Sequence, residues 1–106
     1  MLKKEIGKNN VNNYILKLKE VVVDFFKNED AKIVLFGSRA RNTNYVSSDV
    51  DIGILPGSSF HRKRISLLRE KIEILNIPYK IEIVDLSETS FTLRQEALRE
   101  GIVWKD

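Results

Sequence analysis

The chain of 106 residues alternates between stretches with helical and with strand periodicity. From about Asn10 to Asn28, apolar residues recur every three or four positions, which predicts an amphipathic first helix capped by Asn9 or Asn10. The predicted buried stripe of this helix consists of Val11, Tyr14, Ile15, Leu18, Val22, Phe25 and Phe26. Apolar runs rich in β-branched residues predict two strands, one from Ala31 to Phe36 and one from Asp49 to Leu55.

The second half of the chain continues this alternation. Ser58 or Ser59 is predicted to cap a helix that runs to about Leu75. The residues of this helix predicted to be buried are Ile65, Leu68, Ile72 and Leu75. The later predicted elements are a strand at Tyr79 to Leu86, a helix at Thr89 to Glu100 that ends at Gly101, and an edge strand or packed tail at Ile102 to Trp104.

The predicted fold is therefore α/β, in the order αβαβαβα once a short helix at residues 39–42 is included. A small mixed sheet of three to four strands would be backed by helices, in a single domain covering residues 1–106. Exposed edges of such a small sheet leave self-association into a homo-oligomer open.

Composition and charge narrow the class of protein. Hydrophobic residues make up 42% and charged residues 31%, which is typical of a globular chain rather than a disordered one. No apolar stretch approaches the roughly 20 residues of a membrane span, and no cysteine is present for a disulfide or thiolate zinc site. We therefore expect a cytoplasmic protein. A net charge of +3 favours anionic ligands but does not indicate a dedicated nucleic-acid binder.

Chemistry-bearing residues are concentrated where the first predicted strand ends and the second begins. Gly37 allows a sharp turn and a close approach by a ligand, and the residues after it could begin a helix whose free N–H groups bind an anion. Ten residues separate Ser38 from Asp49, and Asp49 and Asp51 fall on one face of a strand because side chains alternate. Taken singly, a Gly-Ser turn or an Asp-x-Asp pair is usually structural, but together they indicate a phosphate site beside a Mg²⁺ site.

The segments Phe-Gly-Ser-Arg-Ala-Arg (36–41) and Ser-Asp-Val-Asp-Ile (48–52) resemble the signature of nucleotidyltransferases related to DNA polymerase β. Within that superfamily the chain is similar to the minimal nucleotidyltransferases, including MntA-type antitoxins of HEPN toxin–antitoxin pairs. Members of that group transfer AMP from ATP to the partner toxin. The resemblance extends from about Val11 to Trp104 and implies that Gly37, Ser38 and Arg39 bind the nucleotide.

A third carboxylate is implied by the same resemblance, on the third predicted strand. The family pattern places Asp where this chain has Glu82, and alternation puts Glu82 on the opposite face from Ile81 and Ile83. Asp85 lies three residues on and is better suited to capping the next helix. The predicted catalytic and metal-binding residues are therefore Asp49, Asp51 and Glu82, on a sheet face left open for the nucleotide.

The resemblance implies transfer of a nucleoside monophosphate with two Mg²⁺ ions, ATP as the nucleotide and pyrophosphate as the product. The absence of Gly-x-x-x-x-Gly-Lys-Ser/Thr argues against a P-loop ATPase. Two alternatives remain open at this point. One is nucleotidyl transfer to a small molecule, and the other is a non-catalytic antitoxin that neutralises its partner by contact.

Overall fold

The computed structural model describes residues 2–37 and 49–106, with side chains from residue 13 onward. The helices are α1 (Leu2–Phe25), α2 (Lys63–Ile74) and α3 (Phe91–Glu100). The strands are β1 (Ala31–Phe36), β2 (Val50–Pro56), β3 (Ile81–Asp85) and β4 (Ile102–Lys105), and a 3₁₀ turn covers Leu86–Glu88. The short helix predicted at residues 39–42 lies outside the described residues.

The four strands form one sheet in the order β3-β2-β1-β4. The central strand β1 runs antiparallel to both β2 and β4, whereas β2 and β3 are parallel. Parallel strands need a crossover connection, and α2 supplies it between β2 and β3. The predicted fold class, a mixed sheet backed by helices, is confirmed.

Alternating residues of the strands build an apolar layer on each face of the sheet. On one face the side chains pack against α1 and α2, and on the other they pack against α3 and the 3₁₀ turn. The buried residues of the first layer are Leu18, Val22, Phe26, Ala31, Ile33, Leu35, Val50, Ile52, Ile54, Ile65, Leu68, Ile72 and Ile83. Those of the second, smaller layer are Val34, Phe36, Leu86 and Ala97. Removal of these side chains from water is the main source of the stability of the fold.

The helix starts differ from the sequence predictions. The first helix begins at Leu2, so Asn9 and Asn10 lie inside it rather than at its cap. The second begins only at Lys63, and neither Ser58 nor Ser59 caps it. The reason is a contact with a distant residue, because β2 continues to Pro56 and the Gly57 N–H then donates to the Asp30 carbonyl, which delays the helix.

The last helix and its end also differ in detail. Ser90 caps α3, accepting a hydrogen bond from the Leu93 N–H at 3.2 Å, so the helix begins two residues later than predicted. Gly101 ends the helix at φ −73°, which is not a left-handed conformation. A β-carbon there would instead lie 3.1 Å from the Leu35 carbonyl and overlap the Ala97 carbonyl. Glycine is therefore needed because α3 turns closely into β4.

Three arginines at the start of α2 and within it connect this helix to its neighbours. Arg62 pairs with Asp85 and with Glu88 at the 3₁₀ turn. Arg69 donates to the carbonyl of Ile83 on β3 at 2.8 Å. Arg64 donates to the Phe25 carbonyl at 2.9 Å and places its guanidinium 4.1 Å from the centre of the Phe25 ring. Among the described helices, none is both long and apolar enough to span a lipid bilayer.

Candidate active site

Three strands meet in register at the end of the sheet where β1 finishes. Phe36 on β1 is the partner of Asp51 on β2, and Asp51 is the partner of Glu82 on β3. The neighbours Val50 and Ile52 are fully buried on the α1 and α2 side, so Asp51 points to the α3 side of the sheet. The two predicted carboxylates on β2 and β3 therefore lie next to each other on one face.

Asp49 precedes β2 by one residue and is exposed, and we define the carboxylate row as Asp49, Asp51 and Glu82. Partial burial raises the pKa of the Asp51 carboxyl above its usual value. The negative charges of Asp49 and then of Glu82 raise the pKa of Asp51 further. Asp49 and Glu82 are thus each close enough to Asp51 to act electrostatically on its carboxylate.

Gly37 lies directly against this row. Its φ is +79°, a left-handed conformation that favours glycine over residues with a side chain. A β-carbon on residue 37 would overlap Oδ2 of Asp51 and lie 3.3 Å from Cγ. The backbone of the turn and the carboxylate of Asp51 are therefore in contact. Ser38 and Arg39, the other two predicted nucleotide-binding residues, lie outside the described residues.

The charge balance of the row favours a cation. Within residues 2–37 and 49–106, no basic side chain pairs with Asp49 or Asp51, and the Glu82 carboxylate has only Lys80 Nζ, at 4.0 Å. Carboxylate oxygens are the hard donors that Mg²⁺ prefers. The donor chemistry therefore fits a divalent metal ion. In the same ranges, no three His, Asp or Glu side chains are gathered closely enough to hold a metal ion, so the row is open and not a closed cage.

Asp85, the alternative to Glu82, has another role in the structure. Its carboxylate accepts hydrogen bonds from the Ser87 N–H at 2.9 Å and from the Ser87 hydroxyl at 2.6 Å, and it pairs with Arg62. The predicted capping role of Asp85 is therefore correct, although it caps the 3₁₀ turn and not the helix.

The face that carries the row is less open than predicted. Leu86 of the 3₁₀ turn packs over Gly53, where a β-carbon would lie 2.8 Å from Leu86 Cδ1. The start and end of α3 also bound a cleft of about 160 Å³ beside Gly37, lined by Phe36, Gly37, Leu93, Glu96, Ala97 and Glu100. The row itself stays accessible because it lies at the end of the strands, where Asp51 is half-buried and its two neighbours are exposed.

Lys80 is a residue near the row that the sequence analysis did not single out. Its carbonyl accepts a hydrogen bond from the Val50 N–H at 2.8 Å, which holds the start of β3 against β2. Alternation along β3 would have placed Lys80 beside Glu82, since the two are two positions apart. No sequence pattern predicts the cleft beside Gly37, because the cleft is formed by the packing of α3 on the sheet.

Several solved structures share this fold. A protein described as a minimal nucleotidyltransferase superposes with a TM-score of 0.68 at 22% identity, covering 87% of this chain and 93% of the other. A toxin–antitoxin complex with AMP-PNP gives a TM-score of 0.63 at 22% identity, covering 81% and 71%. The complex of tri-AMPylated Shewanella oneidensis HEPN toxin with its MNT antitoxin gives 0.58 at 20% identity, covering 84% and 70%. At these identities the likeness shows a shared fold.

The sequence itself identifies the family. No curated protein matches the chain. The profile of the family described as polymerase beta, nucleotidyltransferase, matches residues 9–105, which include Gly37, the carboxylate row and β4. The chain therefore belongs to the polymerase beta nucleotidyltransferase family.

Proposed function

We propose that this chain transfers AMP from ATP to a hydroxyl side chain of a partner toxin of the HEPN type, and so acts as an antitoxin. The observation that carries the proposal is the carboxylate row of Asp49, Asp51 and Glu82 in contact with the left-handed turn at Gly37. Family membership supports a transferase, and the complexes with AMP-PNP and with an AMPylated HEPN toxin support the nucleotide and the acceptor.

The nucleotide would bind with its phosphates at the Gly37 turn. Glycine at this position allows the left-handed turn, whose main-chain N–H groups can bind a phosphate oxygen. The Ser38 hydroxyl and the Arg39 guanidinium would add donors to the phosphates. Since Gly37 touches Asp51, phosphates bound at the turn would lie next to the row.

Asp49, Asp51 and Glu82 would hold two Mg²⁺ ions. When bound, these ions neutralise the charge of the triphosphate and make the acceptor hydroxyl more acidic. The raised pKa of Asp51 supports this assignment, since a cation between mutually repelling carboxylates relieves the repulsion. The three side chains would have to move closer together around the ions.

In the transfer step, Glu82 would accept the proton of the acceptor hydroxyl. The acceptor oxygen then forms a bond to the α-phosphorus from the side opposite the leaving group. The bond from the α-phosphorus to the bridging oxygen breaks, so AMP remains on the acceptor and pyrophosphate leaves with that oxygen. The register of Glu82 with Asp51 supports this role.

The acceptor would come from another protein. The described clefts near the row are small, about 160 Å³ beside Gly37, and offer little room for a separate small-molecule acceptor. A reaction that consumes ATP would take place in the cytoplasm, where this nucleotide is abundant.

The test is to incubate the chain with ATP and Mg²⁺, alone and with the protein encoded beside it, and to weigh both proteins by intact mass spectrometry. We expect an added AMP on the neighbour, and none with Asp49→Asn. The matched control is Asp106→Asn, which removes an exposed carboxylate paired with Lys32, and it should leave the transfer unchanged.

A second candidate is neutralisation by contact alone. The open row without a closed metal cage, and Glu82 in the place of the family aspartate, favour it. A stable complex with the neighbour that forms equally well with Asp49→Asn, with no adduct from any nucleotide, would establish this candidate and contradict the transfer.

A further inference from the structure

The two edges of the sheet are protected to different degrees. At the β3 edge, the Lys80 carbonyl points to β2, so by alternation the Ile83 carbonyl points outward. The guanidinium of Arg69 covers this outward carbonyl at 2.8 Å. The β3 edge is therefore capped by a charged side chain, which is a common protection against pairing with another strand.

The β4 edge has no such cover among residues 2–37 and 49–106. No described hydrogen bond from outside the sheet reaches the backbone of β4, and Ile102 and Val103 are 48% and 43% exposed. Lys105 does not guard the edge either, because its ammonium folds back to the carbonyls of Glu29 and Ala31, at 3.0 Å each. An uncovered apolar edge strand is a template for pairing with another strand.

An apolar groove continues this edge on the α1 side. It has a volume of about 500 Å³ and lies between α1 and Trp104. Its residues are Leu16, Lys19, Glu20, Val23, Asp24, Lys27 and Trp104. Leu16 is 53% exposed, so the apolar surface of the groove faces water. Two lysines and two acidic residues flank the groove, so their charges balance. Such a surface does not attract a strongly acidic or a strongly basic partner, and it does not repel an identical surface.

We propose that β4 pairs with β4 of a second copy of this chain, antiparallel around a two-fold axis perpendicular to the sheet. The two four-stranded sheets would then form one sheet of eight strands, and the two grooves would close against each other. Symmetric pairing of one patch with itself is the commonest way in which soluble chains dimerise. This inference does not depend on the proposed transfer of AMP.

The faces of the strand determine the register of this pairing. Ile102 pairs with Leu35 of the α1 layer, whereas Val103 pairs with Val34 of the α3 layer. Residues that oppose each other across an antiparallel pair point to the same face. On the two-fold axis, therefore, either Val103 opposes itself or Trp104 opposes itself.

The first register fits the surface better. With Val103 opposite Val103, Ile102 lies opposite Trp104 of the second copy, so the three central pairs are apolar, and Lys105 lies beyond them opposite Gly101. The second register would place Val103 opposite Lys105, but these two residues point to opposite faces. The register of β4 with β1 shifts between Val34 and Ile33, so Lys105 pairs with Ile33 of the α1 layer. The structure thus assigns Val103 to the centre of the interface.

The first test is the mass of the chain in solution, measured by light scattering. We expect twice the chain mass of 12.3 kDa. Val103→Lys would place two ammonium groups against each other and halve the mass, with an unchanged circular dichroism spectrum because the position is half exposed. The control, Ile74→Lys on the exposed face of α2, should remain a dimer. A monomeric chain, or a dimer that survives Val103→Lys, would overturn the proposal.

The second test uses the absence of cysteine from the chain. Opposed β-carbons in an antiparallel pair lie about 4.5–5.5 Å apart, close enough for a disulfide after a small adjustment. Val103→Cys should therefore cross-link to its copy under mild oxidation, whereas Ile74→Cys should not. A dimer that fails to cross-link through residue 103 would refute this register. Loss of binding to the neighbouring protein by Val103→Lys, in a chain that is monomeric alone, would show instead that a different protein covers the edge.

Discussion

Gly37 and Asp51 approach each other so closely that no side chain fits between them. A β-carbon on residue 37 would lie 3.3 Å from Cγ of Asp51 and overlap its Oδ2. One glycine thereby determines both the shape of the turn and the position of the half-buried carboxylate. Gly37 of the predicted phosphate site and Asp51 of the predicted metal site are therefore in direct contact.

Gly37→Ala should therefore damage the site more than the fold. The left-handed φ of +79° alone costs an alanine about 1–2 kcal/mol of folding free energy. Displacement of Asp51 by about 1 Å should lower the rate of AMP transfer by about 100-fold. Urea unfolding and intact-mass kinetics measure the two effects separately.

The steric part of this effect can be isolated with a double-mutant cycle. In an Asp51→Ser background the overlapping oxygen of the longer side chain is gone, so Gly37→Ala should cost less unfolding free energy there than in the native chain. Equal costs in the two backgrounds would show that the contact with Asp51 does not constrain residue 37.

Asp51→Asn should stabilise the metal-free chain near pH 7. Because burial raises the folded pKa of Asp51 above its unfolded value, protonation stabilises the folded state and ionisation destabilises it. This contribution is fully present below the unfolded pKa and is lost as the pH rises through the folded pKa. The gain from Asp51→Asn should therefore appear above the folded pKa of Asp51 and vanish in strong acid.

The measurement is urea unfolding in EDTA at several pH values, with Asp106→Asn as an exposed control that should show no such trend. A gain that is the same at every pH would contradict the assigned pKa direction. A loss of unfolding free energy at neutral pH would do the same.

Glu82 and Asp85 should respond in opposite ways to loss of charge. Glu82→Gln removes the proposed proton acceptor and should lower the transfer rate by about 100-fold or more, with little change in stability. Glu82→Asp keeps the carboxylate and matches the family pattern, so it should remain active. Asp85→Ala should lower the unfolding free energy by about 1 kcal/mol through loss of the cap, and leave the rate unchanged below the melting temperature. Full activity of Glu82→Gln would remove Glu82 from the mechanism.

Gly53→Ala should destabilise the fold without touching the row. The new β-carbon would lie 2.8 Å from Cδ1 and 3.0 Å from Cγ of the fully buried Leu86, an overlap that typically costs about 1–3 kcal/mol. Combining it with Leu86→Ala should remove the overlap, so the two losses should not add. Additive losses in urea unfolding would show that Leu86 moves freely away from the strand.

The elements whose side chains alternate strictly could be predicted from the sequence. The bounds of β1 are those predicted, and the burial of Ile52, Ile54, Leu68 and Ile72 follows the predicted faces. Alternation likewise places Glu82 beside Asp51 once the parallel register is known. These residues could be assigned because side chains repeat every two residues in a strand and every 3.6 residues in a helix. Each repeat gathers the apolar side chains on one face, and that face is the one that is buried.

Other features depend on contacts between distant residues and carry no local signal. Ser59 matches the sequence pattern of a helix cap, but the hydrogen bond from the Gly57 N–H to the Asp30 carbonyl holds the chain in a turn there. The side of the sheet that α3 covers could not be predicted, because the apolar residues of α3 form two stripes on different faces of the helix. The stripe that is buried contains Ala97, a small residue that gives only a weak signal. Glycine is needed at 101 because a β-carbon would overlap the Ala97 carbonyl and lie 3.1 Å from the Leu35 carbonyl, and Leu35 is 66 positions earlier in the chain.

The pairing of β4 with β1 has a consequence for the order of folding. During synthesis β1 can pair with β2 soon after both emerge, but its other edge waits until every other described strand and helix has been made. Until β4 has been made, one apolar edge of β1, the most buried strand of the sheet, is unpaired and exposed to water and to other proteins. Such non-local closure slows folding and exposes the nascent chain to aggregation. The pairing of β4 therefore determines when both edges of β1 are protected from pairing with strands of other chains.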